Sequence, residues 1–338
     1  MNPKENLPLS DELATRKGAH IELAAQAQTS IHEIDERFNY EPLFFTHPNV
    51  DEKWEVKFLN TLFDYPLWIS SMTGGTLHAA NINQNLAKLV GKYNLGMGLG
   101  SCRSLLSGNE RVQDFAVRKY LGDRPLYANL GIAQLEEIVF NDKIDDVHQM
   151  VKSLEATGII IHLNPLQEWF QPEGDRYKVS PILTLTRFLE KTSYPVIVKE
   201  VGQGMGPKSL KALLDLPIVA IELAGFGGTN FSLLESLRGH ENQGKKPFIQ
   251  VGHSTREMIT FLNALPTNNK EFIISGGIKN ILDGYELKTK MKANSVIGMA
   301  QSYLIPAMQS FESLEQHFLS MREGLLVAKA LLEVKGAN

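Results

Sequence analysis

One cysteine, Cys102, stands in 338 residues. A disulfide framework and a cysteine-based zinc site are both excluded. The nine histidines show no His-x-x-x-His pair or similar spacing, so zinc is not expected. No charge of one sign dominates. Lys and Arg number 34 against 38 Asp and Glu, a formal charge of −4, which gives no electrostatic case for nucleic acid. No apolar run approaches the roughly 18 residues of a membrane span. Residues 1–13 lack the apolar core of a signal peptide. A soluble, cytoplasmic chain with no membrane partner is the expectation. With hydrophobic residues at 43% and charged residues at 21%, disorder is excluded as the main state.

The texture changes along the chain. Residues 1–60 are polar and irregular, with one helical stretch expected around Ala19–Gln28. From residue 61 onward short apolar runs recur, each ending in glycine or a small polar residue. They are Pro66–Ser71, Leu95–Leu99, Pro125–Ala128, Gly158–Leu163, Pro195–Val201, Pro217–Ala224, Phe248–Val251, Phe272–Ser275 and Ser295–Met299. Near-continuous apolar runs separated by helical segments predict parallel strands buried on both faces. An α/β TIM barrel needs eight. Phe248–Val251 is the weakest and reads as an extra segment between strands six and seven, ahead of a Ser254/Glu257 capping box. The expected organisation is an N-terminal extension over 1–60 and a TIM barrel over 61–338 that ends in a C-terminal helix. On that helix Phe311, Leu314, Phe318, Met321 and Leu325 form one stripe, to be packed on the barrel or against another subunit.

The residues just past each strand carry the chemistry. In a parallel barrel all the strand ends share one face, where active sites are built. Here the ends are glycine-rich: Ser275-Gly276-Gly277 after strand seven, Gly298-Met299-Ala300 after strand eight, Gly225 to Asn230 after strand six. Backbone N–H groups at the starts of helices seven and eight suit a phosphate, with Thr229 adding a hydroxyl, unless the glycines serve only tight turns. Lys199 interrupts the apolar strand Val196–Val198. It faces either an anionic cofactor ring or a carboxylate partner, Glu200 or Glu222. Past strand four, His162, Asn164, Gln167 and Glu168 cluster, and Glu168 is a natural Mg²⁺ ligand. The adjoining Pro172 to Arg176 reads as a solvated turn.

Together these pieces resemble the type 2, FMN-dependent isopentenyl-diphosphate isomerases. The matching residues are Arg16-Lys17 with His20, Ser71 to Gly75, Gly100-Ser101, Asn129 to Gly131, His162 to Glu168, Pro172 to Arg176, Val198 to Gly202, Gly225 to Phe231, Ser275 to Gly277 and Gly298 to Ala300. The resemblance implies a TIM barrel that interconverts isopentenyl and dimethylallyl diphosphate in isoprenoid biosynthesis. It implies FMN held by Ser71, Met72, Thr73, Ser101, Asn129, Lys199, Thr229, Gly276, Gly277, Ala300 and Gln301. It implies substrate contacts from Arg16, Lys17, His20, Ser101, Arg103, His162, Asn164 and Gln167, with Mg²⁺ on Glu168 and NADPH or NADH as the flavin reductant. A homo-oligomer, tetramer or octamer, is expected. The chain departs from the family pattern at Cys102, at Gly252-His253 and at Gln301, which bears on the pocket's shape.

An unactivated alkene is a poor base, and neither His162 nor Gln167 is an evident strong acid. Following the family, reduced FMN serves as acid–base group, with Gln167, His162 and Lys199 as the catalytic side chains around it. Two rivals remain. An FMN-dependent 2-hydroxy-acid oxidase on the same barrel needs a histidine base after strand six, where this chain has Gly225 to Thr229. A flavin-binding sensor has no use for Gln167-Glu168 or Arg16-Lys17.

Overall fold

The computed structural model describes residues 9–49, 51–71, 77–106, 108–239 and 244–337. These fall into two units, one ending at Asn39 and one beginning at Tyr40. The first carries a helix, Leu9–Leu23, which starts earlier than the polar sequence suggests and stops before Ala24.

The second unit is a closed barrel of eight parallel strands in sequential order. They are β1 (Leu67–Ile69), β2 (Gly96–Gly98), β3 (Leu126–Gly131), β4 (Gly158–Leu163), β5 (Val196–Glu200), β6 (Ala220–Glu222), β7 (Glu271–Ile274) and β8 (Ser295–Met299). β8 closes onto β1 with Ile297 opposite Leu67 and Met299 opposite Ile69. All eight match apolar runs of the sequence: β4 and β8 keep the expected bounds, β3 runs on to Gly131, β7 begins one residue early at Glu271, and the others are trimmed at their ends. The ninth run forms a 3-10 turn, Lys246–Gln250, and no strand. The helix after it, Thr255–Asn263, is capped by Ser254 Oγ, which accepts from the Glu257 N–H at 3.2 Å. The Glu257 carboxylate does not complete a box. It pairs with His253 Nδ1 at 2.9 Å instead.

The barrel floor is closed by a short antiparallel hairpin, Val56–Phe58 with Thr61–Phe63. Phe63 stacks on Trp68 with ring centroids 6.4 Å apart, and Phe58 meets Trp68 edge-on. These rings join Tyr127, Ile160, Ile197, Ala220, Ile273 and Val296 in one fully buried cluster. Polar ties fix the hairpin at the amino-terminal strand ends. The Leu59 N–H donates to Glu271 Oε2 at 2.6 Å, and Asn294 Nδ2 to the Lys57 carbonyl at 2.7 Å. Residues 56–63, placed by sequence partly in the extension, therefore belong to the barrel unit.

The C-terminal helix runs Phe311–Leu331. Its stripe packs inward: Leu314, Phe318 and Leu325 are buried, and the Phe318 ring lies 4.4 Å from that of Tyr93. Of the two readings of that stripe, packing on the barrel is the one observed. The hairpin plug yields a stability test. Phe63→Ala leaves a void under Trp68 and should cost about 3–5 kcal/mol in urea denaturation. A loss near zero would mean that the plug is a dispensable lid.

Candidate active site

The pleat of a strand repeats every two residues, so the inward face of each barrel strand can be read upward from its core residue. Two positions above the apolar layer stand Ser70, Gly98, Asn129, His162, Lys199, Glu222, Ser275 and Gly298. The barrel interior thus changes from an apolar floor to a polar ring within two residues. Glycine at two ring positions makes room for neighbouring hydroxyls. A Cβ on Gly98 would stand 2.6 Å from Ser71 Oγ, and one on Gly298 2.7 Å from Ser70 Oγ.

Above the ring lies a cavity of about 550 Å³, lined among others by Ser70, Ser71, Lys199 and Glu222. Four buried atoms on its wall have no hydrogen-bond partner: Ser70 Oγ, Ser71 Oγ, Glu222 Oε2 and Ser302 Oγ. Buried polar groups are nearly always satisfied, so four orphans around one cavity mark where the polar atoms of a ligand fit. At one end the cavity meets the glycine turns after β6 and β7 and the start of the helix Gln301–Gln309. Gly276 and Gly277 have φ of +89° and +71°, and a Cβ on Gly276 would lie 2.1 Å from the Gly225 nitrogen. Only glycine fits there. The helix at Gln301 has no side-chain cap, which leaves its first N–H groups available to an anion. The helix after β7 differs from expectation. Asn280 and Asp283 form a full capping box at its start, so donors on that side come from the glycine turn alone. Thr229 and Gln301 sit exposed at the rim with Oγ1 and Oε1 3.5 Å apart, and Ala300 precedes the helix.

His162 Nδ1 lies 2.7 Å from Asn129 Oδ1. An amide oxygen only accepts, so Nδ1 carries the proton and Nε2 is left as an acceptor. Burial, and then the nearby Lys199 ammonium, push His162 from 6.5 down to about 3. It is a neutral imidazole at physiological pH and no imidazolium acid. Lys199 Nζ donates to the Glu200 carbonyl at 2.7 Å and forms no ion pair with either carboxylate. Glu200 is occupied elsewhere, its Oε2 accepting the N–H groups of Gly202, Gln203 and Gly204. Burial pushes that carboxyl upward against those bonds.

Past β4 the polar cluster is built on a short helix, Pro165–Phe170. Asn164 precedes it without capping it. Its Nδ2 donates to Gln167 Oε1 at 3.2 Å and to Glu168 Oε1 at 2.9 Å, while Tyr177 donates to its Oδ1 at 3.0 Å. Glu168 is buried, and its Oε2 accepts the Asp175 N–H at 2.7 Å. The Pro172–Arg176 segment is thus a clamp on Glu168, in contrast to the solvated turn expected. Glu168 keeps lone pairs beyond these two bonds. Among the described residues no three His, Cys, Asp or Glu side chains converge. A hard cation there would complete its shell from water and a ligand's phosphates, as Mg²⁺ commonly does.

Ser101 and Arg103 line a separate cavity of about 620 Å³, together with Gln134 and Lys143. Arg103 is held there by Asp175, whose Oδ2 also accepts from Gln134 at 2.6 Å. Cys102 and His253 line neither cavity. Cys102 is fully buried, and burial raises its thiol to about 12. Arg16, Lys17 and His20 lie exposed on the helix Leu9–Leu23. Residues 16 and 20 are one turn apart there and share a face. Met72 and Thr73 fall outside the described residues. Sequence reading missed Ser275 as a site residue and left Glu222 only as a possible partner of Lys199. Counting by two from the glycine-rich strand ends would have exposed both.

No family model matches the chain. Curated relatives do. The isopentenyl-diphosphate delta-isomerase of Rickettsia canadensis (strain McKiel) is 34% identical over 300 residues, spanning 86% of this chain and 84% of the relative. That of Nostoc sp. (strain PCC 7120) is 33% identical over 324 residues, spanning 93% and 90%. Among solved structures, a mandelate oxidase variant with benzaldehyde superposes with TM-score 0.58 at 12% identity, covering 89% of this chain and 87% of that one. A mandelate oxidase variant carrying an FMN adduct gives 0.55 at 12% identity, covering 88% of each. At such identity these structures support the fold alone.

The state of His162 has a measurable consequence. Its folded value lies below the unfolded 6.5, so the unfolded chain takes up that proton first. The stabilisation is complete above pH 6.5 and drains away as pH falls toward 3. Relative to His162→Gln, wild type should lose stability in urea melts across that window. A difference independent of pH would place an imidazolium in the folded ring.

Proposed function

We propose that this chain, which belongs to the isopentenyl-diphosphate delta-isomerase family, moves the double bond of isopentenyl diphosphate by the flavin-dependent, type 2 route. The observation that carries the reading is the cavity with four unpartnered buried polar atoms beside glycine turns and an uncapped helix start. That combination suits a flat, hydrogen-bonding ring with a phosphate tail. FMN would supply, in its reduced form, the group that gives and takes the proton at the substrate carbons.

The chain's own residues do the rest. Gly276, Gly277, Thr229 and the Gln301 helix start receive the phosphate, with Ala300 beside them. Lys199 would present an ammonium to the ring, with Ser71 on the same cavity and Asn129 beside it in the polar ring, while Met72, Thr73 and Ser101 are contacts that the family resemblance implies. His162, neutral and fixed by Asn129, offers Nε2 as an acceptor and adds no charge that would repel a carbocation. Gln167 has its amide oriented by Asn164. Glu168, gripped by Asn164 and Asp175, holds Mg²⁺, and Arg103, Arg16, Lys17 and His20 bind the diphosphate. Binding energy from that remote group then positions the alkene. Reduction by NADPH or NADH precedes turnover and is not repeated in it. A homo-oligomer fits the exposure of Leu237 (78%), Phe248 (47%) and Val251 (55%). A lone buried cysteine fits a reducing, cytoplasmic setting.

The oxidase alternative shares the fold, yet the loop after β6, Gly225 to Thr229, has no histidine where it needs a base. An isomerase leaves its substrate at one oxidation level, and an oxidase does not. With oxidised FMN the protein should be inactive on isopentenyl diphosphate. One anaerobic reduction by dithionite should support many turnovers, with solvent deuterium in the dimethylallyl product. Consumption of NAD(P)H in step with product, or turnover requiring oxygen, would favour the oxidase.

Two variants test the diphosphate half. Glu168→Gln should weaken Mg²⁺ dependence at normal flavin content, and wild-type activity at low Mg²⁺ would refute the metal assignment. Deleting residues 1–20 should leave flavin binding intact and raise KM or abolish turnover. Unchanged kinetics would remove Arg16, Lys17 and His20 from the site.

A further inference from the structure

The polar ring contains two charged side chains, Lys199 and Glu222, and they stand on adjacent strands as Cα partners in the register. Both are buried, at 7% and 1% exposure, and both line the same cavity. Glu222 is tethered on one side only. Its Oε1 accepts from Ser275 Oγ at 3.1 Å, and that hydroxyl is itself fixed by the Ala224 N–H at 3.0 Å. Its Oε2 has no partner. Lys199 uses one N–H on the Glu200 carbonyl. A carboxylate sealed in a barrel is strongly unfavourable unless a cation shares its surroundings. Lys279, the other lysine on this cavity, is exposed at the rim. Lys199 is therefore the buried cation available to Glu222.

We propose that Glu222 is the counter-ion and positioning residue of Lys199. Ser275 aims the carboxylate, and the carboxylate's charge acts on the Lys199 ammonium across the cavity without a direct ion pair, while the Glu200 carbonyl anchors the amine. Glu222 acts through Lys199 and touches no reacting atom. The flavin-dependent isomerase reading enters only in saying what Lys199 is for. The pairing itself is tested on the full chain without flavin.

Removing one member of a buried pair leaves the other uncompensated, whereas removing both does not. Lys199→Met should raise the unfolding equilibrium constant at least about tenfold in urea melts. Adding Glu222→Gln to it should restore much of that loss. In a Lys199→Arg background, which keeps the charge, Glu222→Gln should cost as much as in wild type. If Lys199→Met does not fold, recovery of folded protein in the double variant is the expected result, and its failure overturns the pairing. Strictly additive effects overturn it as well. A second measurement reads the lysine directly. Trace labelling with acetic anhydride, followed by mass spectrometry, should show Lys199 acetylated about tenfold faster in Glu222→Gln, with the other lysines unchanged and Glu222→Asp close to wild type. Equal labelling in all three proteins would show that Glu222 does not control the amine. Neither result depends on isomerase turnover, so failure here and failure of the deuterium experiment are separable.

Discussion

A closed sheet has one inside, and the two-residue pleat sorts that inside into layers. Every other side chain of eight strands must point inward, and closure of β8 onto β1 leaves no edge by which a misfit can escape. The floor satisfies this with Trp68, Tyr127, Ile160 and Ile197 against the hairpin's Phe58 and Phe63. The next layer cannot be apolar and still serve chemistry, so it carries amide, imidazole, ammonium, carboxylate and hydroxyl groups. The floor makes that layer tolerable. Rigid packing below keeps the polar groups at fixed separations, where Asn129 finds His162 and Ser275 finds Glu222. Loosening the plug would loosen the ring.

The loops divide the remaining work by backbone type. After β6 and β7 the chain closes so tightly that a Cβ on Gly276 would lie 2.1 Å from the Gly225 nitrogen, so only glycine fits where these turns border the cavity. After β4 the requirement is opposite, a carboxylate held still. Asn164 gives up helix capping to grip Gln167 and Glu168, and the Gly174 backbone comes so near that a Cβ there would lie 2.0 Å from the Glu168 carbonyl oxygen. Mandelate oxidases share this barrel, and the curated relatives share the isomerase name. Fold similarity alone leaves the chemistry open.

The barrel was legible in the sequence because strands buried on both faces cannot alternate. Eight apolar runs ending in glycine or serine leave little else for the chain to form. Phe248–Val251 resembled a strand locally but lies beyond the reach of any open edge, since the barrel is complete without it. Lys199 stood out as a lone charge in an apolar strand. Glu222, inside the expected run Pro217–Ala224, reads only as a possible partner of Lys199, and its inward direction depends on register, a three-dimensional property. The Pro172–Arg176 clamp was hidden for a similar reason. Glu173 stays exposed as a turn residue should, and the grip on Glu168 comes from the backbone N–H of Asp175, which no side-chain pattern reveals.

The ring's titration state narrows what the chain itself contributes. His162 is neutral far into acid, and its one proton is committed to Asn129. Gln167 is an amide, and Lys199 and Glu222 face one cavity with opposite charge. An alkene needs a strong or well-placed acid, and none of these side chains is one. What they provide is a site whose charges are fixed before the substrate arrives and whose imidazole adds no positive charge beside a developing cation. Such an arrangement favours a bound group as the source of the proton. On the proposed flavin-dependent reading, the protein's work would be to orient that group and exclude water from its face.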